Sequence, residues 1–175
     1  MKFYLIVAFL ALNLFSAQEN LFKDVFEIAR KGRLEDITTL HRNFKDSINA
    51  VNNSGYSVLI LACYNNNKEV AEYLIENVKN INYASELGTA LTATIFKNNV
   101  LLSEKLLKKG ANPNITDKTG ITPLMYAVQF QNINTVELLL NYNADKSLKN
   151  NQNKTAFEIA IETQNQEIIN KLKSQ

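Results

Sequence analysis

Chemistry-bearing residues are scarce in this chain of 175: one cysteine, one histidine and no tryptophan. A lone thiol, Cys63, rules out an internal disulfide framework, so stability has to come from packing. A lone imidazole, His41, rules out a His–His metal pair or an HExxH helix. There is also no glycine-rich phosphate loop, no dinucleotide fingerprint and no GxSxG elbow. Two prolines and five glycines are too few for a disordered linker or a loop-rich all-β fold. The formal charge of +2 gives no broad field to attract nucleic acid or an anionic membrane. The residues left over read as one globular domain with no cofactor and no catalytic constellation.

Asparagine is plentiful instead. Its 25 copies gather between apolar segments, where turns tolerate it. The first stretch, MKFYLIVAFLALNLFSAQ, differs from everything that follows: Lys2 precedes an unbroken apolar run from Phe3 to Leu12, then small residues at Ser16 and Ala17. That layout predicts a secretory signal peptide over 1–17, cut after Ala17. The run is shorter than the ~20 apolar residues that span a bilayer. An apolar first helix of the fold is the alternative. Export predicts a periplasmic or secreted location, with no stable membrane insertion after cleavage.

The body of the chain repeats. SVLILACYNNNKEVAEYLI from Ser57, TALTATIFKNNVLLSEKLL from Thr89, TPLMYAVQFQNINTVELLL from Thr122 and TAFEIAIETQNQEIINKL from Thr155 align at spacings of 32, 33 and 33. A looser copy, VFEIARKGRLEDITTL, starts at Val25. Five units therefore cover 20–173, approximately 20–50, 51–82, 83–115, 116–148 and 149–173. In the clearest copy Thr122 suits a helix N-cap and Pro123 the first helical position, where no donor is needed. Leu124 and Ala127 face one side of a first helix; Val136, Leu139 and Leu140 repeat that face on a second. Gly110 suits the left-handed residue that ends such a helix. One helix pair cannot bury its apolar face alone, so the units must stack.

These motifs resemble the ankyrin repeat. The fourth unit carries Gly120, Thr122, Pro123, Leu124, Ala127, Val136, Leu138, Leu139, Leu140, Ala144 and Asp145 at the family's consensus places, and Gly110-Ala111-Asn112-Pro113-Asn114 is close to its Gly-Ala-Asp-Val-Asn turn. The resemblance implies an all-α fold: an α-solenoid of about five helix-turn-helix repeats joined by β-hairpin-like loops. Departures are local. Leu87 and Asn153 stand where the third and fifth units should have a turn glycine, so distorted tips are expected there. The second unit ends at 76–82 without Gly-Ala-Asp and reads as one residue short. The last unit, with Phe157, Glu158, Glu162, Gln164 and Asn165, looks like a polar cap.

Arrays of this kind bind proteins through hairpin tips and the exposed ends of the first helices. Carried over unit by unit, those positions are Arg30 and Lys31, Tyr64 and Asn65, Phe96 and Lys97, Gln129 and Phe130, then Glu162 and Thr163. Three central units place an aromatic where solvated positions should be polar, between basic and acidic ends, which fits a hot-spot stripe with a polar rim. Inter-repeat filler is the competing account of the same rings. The tips Asn53, Ser54, Tyr56, Glu86, Lys118, Thr119, Asn151 and Gln152 are secondary contacts. The expected function is a non-catalytic, exported, monomeric module that binds a protein partner and no nucleic acid. A periplasmic enzyme is the expected partner, because similar bacterial proteins support envelope enzymes. A periplasmic inhibitor or immunity protein facing a toxin is the alternative, and an enzyme using His41 as base a distant third. His41 reads as an exposed loop residue after the first unit, Cys63 as a buried thiol, Arg30, Lys31 and Arg33 as a solvated basic face, and Glu72 and Glu76 as repulsive neighbours on an outer face.

Overall fold

A computed structural model describes residues 25–173, so the leader-like segment 1–17 lies outside the described residues. Within them the chain alternates short first helices with second helices. The first helices are α1 (25–31), α3 (Val58–Tyr64), α5 (Ala90–Phe96), α7 (Pro123–Gln129) and α9 (Ala156–Thr163). The second helices are α2 (Leu34–Asn43), α4 (Lys68–Asn77), α6 (Val100–Lys108), α8 (Ile133–Asn141) and α10 (Gln166–Lys173), and a 3-10 turn spans Ser47–Asn49. No strand forms among the described residues; the loops hold only the isolated bridges Val51–Ser57 and Ser85–Gly88. This is the all-α repeat solenoid that the sequence predicts.

Four of the five first helices, α3, α5, α7 and α9, start at a hydroxyl. Ser57, Thr89, Thr122 and Thr155 accept from the backbone N–H three residues on, at 3.2–3.5 Å, satisfying one donor of the open first turn. Pro123 takes the first helical position of α7. One side of each first helix is a column of small residues, Ala29, Ala62, Thr94, Ala127 and Ala160, all fully buried. Small side chains let neighbouring backbones approach closely. Thr94 departs from alanine but keeps its hydroxyl satisfied, donating to Leu91 O and meeting Ser103 Oγ at 2.8 Å. The second helices contribute Leu74, Leu106, Leu139 and Leu172 to the same continuous core. Neighbouring first helices touch more extensively than neighbouring second helices, so the stack curves with the first helices and hairpins on its inner side.

Asparagine stitches the units together. Between the two helices of the second to fifth units one residue turns left-handed: Asn66 (φ 56), Asn98 (φ 53), Gln131 (φ 53) and Gln164 (φ 56). The asparagine after it begins the second helix and donates back to the preceding unit. Asn67 Nδ2 donates to Gly32 O at 2.9 Å, Asn99 to Asn66 Oδ1 at 2.7 Å and Asn132 to Asn98 Oδ1 at 2.5 Å. A second series runs through Asn49, Asn82 and Asn114, whose Oδ1 atoms each accept a backbone N–H of the next unit's loop at 2.8 Å. Turn tolerance accounts for only part of the asparagine excess. The side-chain amide is wanted because one group can accept and donate across a unit boundary.

Several sequence expectations change. The turn glycine of the third unit is Gly88, at φ 95, not the position of Leu87. Counting from the residue that opens each hairpin, Ser57 follows Asn52 by five positions and Thr122 follows Asp117 by five, but Thr89 follows Ser85 by four. The missing residue therefore lies in the third hairpin and not at the end of the second unit. The fifth tip is undistorted: Asn153 takes φ 61, and Asn150 Oδ1 accepts from the N–H groups of Gln152 and Lys154 as Asn52 and Asp117 do in their own turns. Asparagine tolerates the left-handed region well enough to replace glycine there. Glu72 and Glu76 are not a repulsive pair, because each is met one unit on, by Lys105 at 2.9 Å and Lys109 at 2.6 Å. His41 lies inside α2, half-buried, with Nδ1 2.7 Å from the Tyr73 hydroxyl. In the last unit Glu158 caps α9 through Thr155 besides facing solvent.

A continuous core predicts a sharp contrast between two leucines of α6. Leu106 is fully buried and Leu101 is 61% exposed. Leu106→Ala should cost about 2–5 kcal/mol, and Leu101→Ala less than about 0.5 kcal/mol. Urea unfolding followed by far-ultraviolet circular dichroism measures both.

Candidate functional site

The inner side of the stack is built from the C-terminal ends of α3, α5 and α7 and the hairpins that precede them. A seven-residue first helix makes only two turns, so its last residues project beyond the core and their side chains are half free. Tyr64, Phe96 and Phe130 occupy those ends, at 48%, 42% and 48% exposure. Phe96 meets Phe130 edge-on with centroids 5.3 Å apart, and Tyr126 at 4.7 Å. Lys97 Nζ lies 4.3 Å from the centroid of the Tyr64 ring. Phe96 thus touches the rings of the next unit while Tyr64 is met by Lys97, and Tyr64, Phe96 and Phe130 each keep about half their surface in water. Tyr126 completes the cluster; its position within α7 gave no sequence signal, because the matching residues are Leu61, Ala93 and Ile159.

Two recesses flank these rings. One, of about 540 Å3, lies between the second and third units and is lined chiefly by apolar groups, including Tyr56, Tyr64, Leu87 and Phe96, with Arg30 at its edge. The other, of about 600 Å3, is lined by Phe96, Phe130, Asn98, Gln131 and Glu167 among others. Leu87, 51% exposed, belongs to the first recess although the sequence suggested only a turn defect there. Counting each hairpin from its opening Asn, Ser or Asp, instead of from the helix cap, is the signal that would have found it.

The remaining expected positions are less free. Arg30 and Lys31 both pair with Glu27, at 2.8 and 3.0 Å, and those contacts hold the Glu27 carboxyl below its usual range. Asn65 is exposed, with its amide donating to Leu61 O at 2.8 Å. Glu162 pairs with Lys154, and the Thr163 hydroxyl donates to Ala160 O. The two ends of the groove are therefore locally compensated, not bare charges of opposite sign. Gln129 is exposed, and Tyr56 is half-buried against the core. The tips bind one another: Lys118 N donates to Glu86 O at 3.0 Å while its ammonium pairs with the Glu86 carboxylate at 2.7 Å, and Asn151 N donates to Thr119 O at 3.0 Å.

Asp117 ties hairpin to ring cluster. Its Oδ1 accepts from the Thr119 and Ile121 N–H groups and the Thr119 hydroxyl, and its Oδ2 accepts from the Tyr126 hydroxyl at 2.5 Å. Burial alone raises this carboxyl, but the bonds from Tyr126, Thr119 and Ile121 outweigh it and hold the group below the usual range. The same burial, with Asp117 as acceptor, pushes the Tyr126 hydroxyl above its ordinary value. Cys63 is fully buried, and desolvation pushes its thiol up to about 12, so it is an inert core residue. Among the described residues no group of three or more His, Cys, Asp or Glu could hold a metal, and no helix is long and apolar enough to cross a membrane. The surface can recognise another molecule by shape, apolar contact and cation placement.

Comparison with known proteins agrees with this geometry. The chain matches the family described as Ankyrin repeats (3 copies) over residues 25–117 and again over 91–175. It is 44% identical over 82 residues to ankyrin repeat protein L92 of Acanthamoeba polyphaga mimivirus, covering 45% of this chain and 19% of that protein. It is 33% identical over 139 residues to ankyrin repeat protein FPV031 of Fowlpox virus (strain NVSL), covering 75% of this chain and 40% of the relative. Rabankyrin-5 of Homo sapiens is 29% identical over 151 residues, 78% of this chain and 13% of its own length. The chain thus spans less than half the length of each of these viral and animal relatives.

The Asp117 geometry has a pH consequence. A carboxyl lowered in the folded state stabilises fully above its unfolded pKa of about 3.9 and loses that contribution as pH falls through the folded value. Stability should decline below about pH 4, and Asp117→Asn should flatten that decline while costing about 2 kcal/mol at pH 7. Urea midpoints measured from pH 3 to 7 test both signs.

Proposed function

Since the chain belongs to the ankyrin repeat family, we propose that it is a non-catalytic module whose inner groove binds a protein partner. The observation that carries this is the run of half-exposed rings Tyr64, Phe96 and Phe130 between two open recesses. Core packing does not require aromatics at those helix ends, since in the last unit Glu162 takes the place of Tyr64 and Phe96 and Thr163 that of Phe130. Large rigid rings within a polar surround are the usual energetic anchors of an interface. Arg30, Lys31, Asn65, Lys97, Gln129, Tyr56 and Lys118 form the surround, several already held in place by neighbours.

The proposal extends to location. The leader-like pattern of residues 1–17 supports export to the periplasm or beyond, with the monomeric repeat domain free of the membrane after cleavage. A resident periplasmic enzyme is then the partner we favour. A second reading, an inhibitor or immunity protein that silences a toxin, draws on the mainly apolar recess beside Tyr64 and Leu87, which can seat one projecting side chain of a single target.

Replacing Tyr64, Phe96 and Phe130 together by Ala should weaken partner binding at least about a hundredfold, each anchor contributing roughly 1 kcal/mol or more. The variant should remain folded by far-ultraviolet circular dichroism while its melting temperature falls by roughly 10 °C, since each ring also buries about half its surface. Isothermal titration against the partner recovered from native periplasm decides it, and undiminished affinity rules out this face. The recovered partner's own activity separates the two readings: intact for a supported enzyme, abolished for a blocked toxin. Fractionation of cells making the chain with and without residues 1–17 tests export.

A further inference from the structure

The groove reading above leaves the partner's chemistry open, and one cleft within the groove narrows it. Two local deficits make this cleft. Four positions after the cap, the second, fourth and fifth units carry Leu61, Tyr126 and Ile159, but the third carries Ala93. In the hairpin, the residue that is Tyr56 in the second unit and Ile121 in the fourth has no counterpart, because Thr89 follows Gly88 directly. The cleft of about 540 Å3 lies over both gaps: Ala93, Gly88 and Thr89 line it, together with Tyr56, Leu61, Tyr64, Leu87 and Phe96. The stack is therefore under-filled at one boundary and has a mainly apolar seat there. That volume suits a bulky side chain with its flanking backbone.

Charge around the seat is one-sided. Arg30 lines it and no carboxylate does. Lys97 stands over the neighbouring Tyr64 ring, and among the described residues no carboxylate pairs with it. Arg30 and Lys31 share the single carboxylate of Glu27, so compensation there leaves one cation in excess among the described residues. Cations concentrated beside an apolar seat favour a negative group on the incoming segment.

We infer that the cleft receives a leucine or phenylalanine side chain from a surface segment of the partner protein, with an aspartate or glutamate next to it meeting Arg30 and Lys97. The side chain supplies what Ala93 and the missing hairpin residue leave out, and the carboxylate fixes its direction along the groove. Specificity at this boundary is set by the absence of two groups that the neighbouring units possess.

The test uses protein purified from cells expressing the full chain, a displayed library of random dodecapeptides, and synthetic copies of the peptides selected. Selected peptides should share a Leu or Phe beside Asp or Glu. Ala93→Leu, which restores the residue its neighbour has at Leu61, should weaken their binding at least about tenfold, the effect of excluding one buried side chain. Arg30→Gln with Lys97→Gln should weaken it about threefold or more and flatten its salt dependence. If Ala93→Leu melts early, Leu87→Ser removes an exposed wall residue and should also weaken binding. Peptides with basic or no charged neighbours, or binding indifferent to both Ala93→Leu and Leu87→Ser, overturn the inference. If such binding still disappears with Phe130→Ala, the groove reading survives and only the cleft fails. Recovery of no peptide overturns both. Self-association that Ala93→Leu abolishes overturns the partner segment in favour of a second copy of this chain.

Discussion

Close approach of the first helices is the constraint on which the rest of this molecule depends. Ala29, Ala62, Thr94, Ala127 and Ala160 leave no side chain large enough to hold the helices apart, so successive units share one core instead of each needing its own. The second helices touch one another less extensively, and that difference bends the stack. Curvature then brings the free ends of α3, α5 and α7 to one side. The surface proposed for recognition is thus a by-product of how small residues pack.

Polar groups repeat the same logic at the boundaries. A solenoid exposes loop backbone at every turn, and unsatisfied backbone groups are costly when shielded from water. Asn67, Asn99 and Asn132 bond across one edge and Asn49, Asn82 and Asn114 across the other. Lys105 with Glu72 and Lys109 with Glu76 add ion pairs on the outer side, where solvent keeps each worth little alone. Because units contact only their neighbours, a defect in one is absorbed locally. The shortened third hairpin illustrates this. Its glycine moves to Gly88, its tip still bonds to Lys118, and the flanking helices keep their register, while a gap opens beside Ala93.

The period of 32 to 33 residues, the Thr caps, Pro123 and the buried faces of α7 and α8 were legible because stacking imposes the same demand on every unit, and a repeated demand leaves a repeated pattern. The end positions of the first helices were legible for the same reason, including the three rings. What the pattern could not supply was the content of its exceptions. Leu87 looked like a damaged turn because alignment started at Thr89 and not at Ser85. Glu72 and Glu76 looked repulsive because their partners stand 33 residues away, and His41 looked free because Tyr73 lies 32 residues on.

The sequence alone determined the repeat architecture and where the free ends of the first helices fall, since these follow from local residue types recurring at fixed spacing. Tertiary structure alone decided that Tyr126 joins Phe96 and Phe130, that Arg30, Lys31 and Glu162 are already paired, and that a cleft opens between the second and third units. The physical reason is distance. Each of those outcomes depends on side chains meeting across a unit boundary, where a single substitution or deletion alters the contact without disturbing the period that announces the fold.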